Sequence, residues 1–342
     1  MTSNKSEEYL QLNPDAFTRF FICKEILKKD FGKRQIELLD VGGGSKYFRS
    51  ALTQDKLPYE LTVIDILPPP KERAGYTYIK GDATKMEFMD NSFDAVVSMD
   101  VLEHVSDEKK PSLLQECYRV ARDLVIIAGP FESEETTQAE TIANDFFRSQ
   151  HKRNHPWLIE HFEQNKPTSE LMEREIKRFG CPHTHFESNY LPAWLKLIMT
   201  NFVSEALVDS TGVKAINHFY NENLLKLGDF TAPGYRHFYI LYKNSKLTKD
   251  FDQYFKLALS TNHQLILEQR VTELFVDSAM LALEAQIAAK IAAGELTTAL
   301  EYATQNASEL RTALQNIQNS KSYKLARGLG NLRRKIVPKH KS

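Results

Sequence analysis

Apolar positions in the first part of the chain fall into two patterns. Residues 14–31 (PDAFTRFFICKEILKKDF) set Phe17, Phe20, Phe21, Ile26 and Leu27 mostly on one side of a 3.6-residue period, which predicts a helix. Short apolar runs follow at Glu37–Val41, Glu60–Ile66, Tyr76–Lys80, Phe93–Ser98 and Leu124–Ala128. Runs this short and rich in Val, Ile and Leu predict strands buried on both faces, the pattern of a parallel sheet. The stretches between them, most clearly Asp107–Val120, supply crossover helices, and the alternation predicts a doubly wound α/β fold.

After Pro130 the pattern changes. Residues 131–180 are polar and partly helical; Ser169–Phe179 reads as a helix with Ser169 as its N-cap and Gly180 as its stop. Residues 184–191 and 236–243 predict two more strands, seven in all, and 192–226 predicts helices with a large apolar face. Residues 249–319 hold no proline and one glycine, Gly294. There Leu300, Ala303, Ala307, Leu310, Leu314 and Ile317 step by threes and fours, a short heptad seam. It predicts a helical hairpin or short coiled coil, or else an amphipathic helix packed on the main domain. The expected division is residues 1–246 as one domain, with a polar insert around 131–180 and a helical insert around 192–226. A helical or coiled-coil region, 247–320, and a basic tail, 321–342, complete it.

Charge sharpens this division. The chain of 342 residues has a formal net charge of −1, yet residues 321–342 carry eight Lys or Arg and no acid, leaving −9 on the rest. A basic tail on a mildly acidic body points to a local anionic partner. No basic, aromatic-interleaved surface occurs in residues 1–245, so nucleic acid is not the expected partner. Three cysteines without a CxxC pair imply a reducing compartment. With no signal-like start and no apolar run of spanning length, the expectation is a cytoplasmic protein, or one peripheral at the cytosolic membrane face.

Candidate chemistry lies at the ends of the predicted strands. LLDVGGGS (Leu38–Ser45) runs a buried strand into a glycine turn, where a ligand can approach the main chain. Asp40 ends that strand and could accept hydrogen bonds from a ligand ammonium or from the turn. Asp65 ends the next strand, where an acid can accept both hydroxyls of a ribose; otherwise it is a turn former before three prolines. Gly81-Asp82-Ala83 ends the third, with Asp82 placed to accept from an adenine amino group. FDAVVSMDVLEHV (Phe93–Val105) brings Asp100, Glu103 and His104 over the same crevice.

In that order these segments resemble the class I S-adenosylmethionine-dependent methyltransferases, in the small-molecule branch with a D-V-G-x-G turn and a V-L-E-H motif. The resemblance covers residues 36–130 and implies a Rossmann-like, mostly parallel seven-stranded sheet with S-adenosylmethionine as cofactor. It implies Asp40, Gly42 and Gly44 at the methionine end, Asp65 at the ribose, and Ile66, Asp82 and Ala83 at the adenine. Asp100, or the backbone around Met99, falls beside the methionine. Lys46 stands where the family often has a further glycine.

An alcohol acceptor needs a general base. Candidates are His104 and, from HKRNHPWLIEHFE (residues 151–163), His155, Glu160 and His161. Glu160 and His161 are sequential and diverge by about 100° on a helix, so loop geometry must help both to face one ligand. No cysteine or histidine spacing marks a metal site, and no metal is expected. The chain lacks the Asn-Pro-Pro-Tyr signature of base-methylating enzymes, which favours a saccharide or small-molecule acceptor. The tail, with Ser320, Ser322, Tyr323, Leu325 and Arg327, resembles tails of bacterial surface-polysaccharide enzymes. Its basic and apolar mixture suits peripheral contact with an anionic membrane. The expectation is an O-methyltransferase of a saccharide hydroxyl in surface glycan or glycolipid synthesis, with the helical region as a route to homo-oligomers. Alternatives are a methyltransferase of a quinone-precursor-like metabolite and a non-catalytic scaffold. A nicotinamide dehydrogenase is disfavoured because GGGSKY fails the last position of G-x-G-x-x-G.

Overall fold

The computed structural model describes residues 8–44, 46–54, 57–71, 75–205, 210–225, 229–244, 246–247, 261–292 and 296–319. The tail motif from Ser320 onward lies outside them.

Helix α1 (Pro14–Phe31) is set by local chemistry at both ends. The Asn13 side chain accepts from the Asp15 N–H, Pro14 occupies the first turn, and Gly32 at φ 59° closes the helix with a bond to the Lys28 carbonyl. Strands β1 (Ile36–Val41), β2 (Tyr59–Asp65), β3 (Thr77–Lys80), β4 (Phe93–Met99) and β5 (Ala121–Pro130) are parallel neighbours. Strands β6 (His183–Tyr190) and β7 (Gly234–Tyr242) add antiparallel, giving the order β3-β2-β1-β4-β5-β7-β6. The chain order reverses between β1 and β4, where open α/β sheets form their ligand crevice.

The continuous apolar runs reflect burial on both faces. Leu38, Val63, Ala95, Val97, Leu124 and Ile126 join the core cluster on one side, with α1 and α2 (Lys46–Gln54). Leu39, Ile64, Val96, Val125 and Ile127 join the other, with α3 (Lys110–Val120) and α6 (Ser169–Phe179). Successive residues of a strand point to opposite faces, so the central strands β4 and β5 are buried at nearly every position, while Glu37, Glu60 and the ends of the edge strand β3 stay exposed.

Helices α4 (Glu134–His151) and α5 (Pro156–Glu163) occupy the polar insert. The N-cap of α6 is Thr168, whose side chain accepts from the Leu171 N–H at 3.2 Å, rather than Ser169. Helices α7 (Leu191–Ser204) and α8 (Thr211–Phe219) follow β6. The late helices α9 (Thr261–Ala292) and α10 (Leu296–Asn319) pack back on the body. Leu267 and Val271 enter the first core, and Phe275 and Ala282 share a third cluster with α4, α7 and Leu310 and Leu314 of α10. The heptad positions Leu310 and Leu314 thus face the domain, while Ala307 is exposed. Among the described residues no helix is long and apolar enough to cross a membrane.

Candidate functional site

The glycine turn folds over Asp40. Gly42 holds φ 67°, and a Cβ there would lie 2.6 Å from a Val101 methyl. A Cβ on Gly43 would lie 1.8 Å from Asp40 Oδ2, so only glycine lets the turn close on this carboxylate. The Gly44 N–H donates to the same oxygen at 3.1 Å. Burial pushes the Asp40 carboxyl up to about 7, against the opposing pull of that bond and of the Arg19 charge. Gly43 makes the closest approach, and the sequence reading singled out only its neighbours. Lys46 is exposed and reaches Glu8 at 3.0 Å.

The β2 and β3 ends lie side by side. The Gly81 N–H donates to the Asp65 carbonyl at 2.9 Å, and Asp65 Oδ1 accepts from the Leu67 N–H at 2.8 Å. Ile66 beyond it is 67% exposed, a large apolar side chain open to a flat ligand. Asp82 Oδ1 accepts from both the Thr84 N–H and hydroxyl, which hold its carboxyl below the usual range; Oδ2 stands 3.6 Å from Lys109. Ala83 packs against the second core.

Asp100, at the end of β4, takes φ 55°. Its carboxylate is held by Arg236, through Nη2 at 2.7 Å and Nε at 3.0 Å, and by Arg19. Arg236 is 1% exposed and also reaches Asp15 at 3.0 Å and Asn189 at 2.9 Å. Burial and the neighbouring Arg236 lower the Arg19 guanidinium to about 10. Arg236 and Arg19 escaped the sequence reading because nothing local marks a cation in the apolar strand RHFYILYK or in the first helix.

The turn Leu102–His104 connects this crevice to the polar insert. Glu103 is 1% exposed; its Oε2 has no hydrogen-bond partner, and burial pushes its carboxyl up to about 7. The neighbouring His104 is about 40% exposed at its side chain and otherwise covered, with Nδ1 3.5 Å from Glu160 and its ring 5.6 Å from that of His161. Burial of its ring and the nearby His161 lower the His104 imidazole, favouring the neutral form. Glu160 and His161 do diverge on α5, Glu160 exposed and His161 buried, but His104 lies against both.

Behind His161 is a buried polar chain. His161 Nδ1 lies 2.8 Å from Glu140 Oε1, which also accepts from the Tyr235 hydroxyl at 2.8 Å; Lys166 Nζ is 2.7 Å from Oε2. Glu140, Tyr235 and Lys166 were invisible as partners because they come from α4, β7 and the loop before α6. His155 departs from the group. It precedes α5, stacks on Phe202 and lies 3.6 Å from Glu205.

Residues 39–127 match the family model described as Methyltransferase domain. The matched segment runs from β1 into β5. It carries the glycine turn, Asp65, Asp82, Asp100, Glu103 and His104. The chain is 28% identical over 118 residues to 2-methyl-6-phytyl-1,4-hydroquinone methyltransferase 2, chloroplastic, of Oryza sativa subsp. japonica, covering 32% of this chain and 33% of that protein. It is 33% identical over 113 residues to an uncharacterized methyltransferase of Mycobacterium sp. (strain KMS), covering 29% and 42%. The chain thus spans well under half the length of these curated relatives. Among solved structures it is similar to a putative sarcosine dimethylglycine methyltransferase from Galdieria sulphuraria. The identity is 17%, the TM-score 0.41, and the match covers 70% of this chain and 86% of that one. The insert that carries Glu140, Glu160 and His161 lies outside the matched methyltransferase domain.

Proposed function

We propose that the chain is an S-adenosylmethionine-dependent methyltransferase acting on an oxygen acceptor. The observation that carries the acceptor class is the meeting of Glu103, His104 and His161 beside the crevice, with His161 oriented by Glu140. The donor reading fits the crevice: a turn that admits only glycine over Asp40, an acid at the β2 end and an open apolar Ile66 next to it. Asp40 and Gly42 would hold the methionine end with the Gly44 amide. Asp65 would hold the ribose hydroxyls, Ile66 and Ala83 the adenine ring, and Asp82 Oδ2 its amino group. Asp100 serves by fixing Arg19 and Arg236 at this end. When bound, the sulfonium supplies a methyl group for in-line displacement by the acceptor oxygen.

The residues of the insert handle the proton. Glu140 is acceptor-only as a carboxylate, so it takes the Nδ1–H of His161 and leaves Nε2 with a lone pair. That nitrogen is suited to draw the proton from an acceptor hydroxyl. Tyr235 and Lys166 keep Glu140 in place.

The finer proposal is a saccharide hydroxyl, as in surface glycan or glycolipid assembly. It is supported by the polar corner of Glu103, His104, Glu160 and His161 and by the tail sequence. A quinone-precursor acceptor is the second reading, favoured by the rice relative and by Trp157, whose ring lies 5.2 Å from His161. Calorimetric titration with S-adenosylmethionine and with NADH, beside Asp65→Ala, tests the donor. Binding of the methyl donor alone, lost in the variant, upholds it; a folded chain that binds neither leaves a scaffold. Transfer of a labelled methyl group to glycan or to hydroquinone acceptors then separates the two substrate readings.

A further inference from the structure

Glu103, His104 and His161 each present one ligand atom, all within 4.8 Å of one another. Two imidazoles and a carboxylate are a donor set for a first-row divalent ion with coordination positions left open. Two further features match a metal site. The first is the Glu140 contact: a carboxylate bound to one imidazole nitrogen fixes the other as a lone-pair donor, the usual support of a metal-bound histidine. The second is Glu103 Oε2, a carboxylate oxygen buried without a hydrogen-bond partner, which a cation would satisfy. The cations nearby are paired: Lys166 with Glu140 at 2.7 Å, and Arg236 and Arg19, whose charges reach Glu103, with Asp100.

We propose that Glu103, His104 and His161 bind a divalent transition ion of the zinc or manganese class. Metal–nitrogen bonds of ~2.0–2.1 Å would set neighbouring ligands about 3.4 Å apart, so the groups would close by at most about 1.4 Å on binding an ion. The exposed side of His104 is the route of entry. Only the ion's chemical role rests on the acceptor reading above. Such an ion would supply Lewis acidity toward an acceptor hydroxyl, and His161 would then serve as a ligand in place of a base.

The test uses the full chain without a polyhistidine tag, stripped with chelator and free of methyl donor and acceptor. Co²⁺ is titrated by visible absorption and then displaced by Zn²⁺. The expected result is one ion per chain, with affinity falling at least about tenfold in His104→Ala and in His161→Gln. His104 is exposed, so its variant folds even if the buried one does not. His185→Ala is the control, because His185 and His237 lie 3.0 Å apart elsewhere on the surface. No saturable binding by folded protein overturns the site, as does binding lost only in the His185 variant. Ion binding without S-adenosylmethionine binding upholds the site and sinks the donor reading; the reverse sinks the site alone.

Discussion

His161 turns its Nδ1 onto a carboxylate oxygen of Glu140, 2.8 Å away, in a corner where His161 is 7% exposed and Glu140 is fully buried. The contact selects one tautomer and one ring orientation, and it does so from outside the matched methyltransferase domain. Whether His161 acts as base or as ligand, Nε2 must be unprotonated. His161→Gln is therefore expected to lower kcat by about 10²–10⁴-fold with methyl-donor affinity unchanged. Turnover equal to the parent chain would remove His161 from the chemistry.

Arg236 is the cation on which two acids depend. It lies 3.0 Å from Asp15 and 2.7 Å from Asp100, itself 1% exposed. Burial would raise the Asp15 carboxyl, yet Arg236 and Arg19 together hold it below its ordinary value. Arg236→Met leaves these carboxylates short of a partner, and unpairing a buried ion pair costs about 3–5 kcal/mol. Urea denaturation should show a loss of that order. A variant as stable as the parent would mean that water takes over the role of the guanidinium.

The placing of the strand-end acids could be read from sequence because each follows directly from its strand. A parallel strand must end in a turn at the crevice, so Asp40, Asp65, Asp82 and Asp100 are each placed by the strand before them. The corner around His161 could not be read in that way. Glu140 meets His161 only because α4 and α5 fold against each other, and Tyr235 joins them from β7. His155 lay in the same run as His161 but precedes the helix, where aromatic packing on Phe147 and Phe202 takes its ring. The heptad seam was ambiguous for a related reason. Steps of three and four describe any amphipathic helix, and Leu310 and Leu314 spend theirs on the domain.

Gly43 tests the turn directly. A methyl group there would sit inside the Asp40 carboxylate, 1.8 Å from Oδ2, so Gly43→Ala must move either the turn or the acid. Methyl-donor affinity measured by calorimetry is expected to fall by about tenfold or more, equivalent to roughly 1.4 kcal/mol. Undiminished binding would show that the donor does not contact this turn.

The late helices should unfold with the body. Phe275 is fully buried and meets Phe146 of α4 at 5.8 Å between ring centroids. Phe275→Ala should cost about 3–5 kcal/mol and lower a single thermal transition. A separate, early transition for α9 and α10, with the main one unmoved, would make them an independent unit.

Asp229 predicts how stability varies with pH away from the crevice. Burial raises its carboxyl to about 6, while the Tyr220 hydroxyl at 2.8 Å and backbone amides pull the other way. The folded chain therefore holds a proton on Asp229 in a range where the unfolded chain, near 3.8, has released it. Its contribution is fully present below about pH 4 and is lost as pH rises through about 6. Two units correspond to roughly 3 kcal/mol. Asp229→Asn keeps a neutral side chain at every pH, so its melting temperature relative to the parent should climb between pH 4 and pH 7. A difference that stays flat over that interval would mean Asp229 is ionised in the folded protein at both ends.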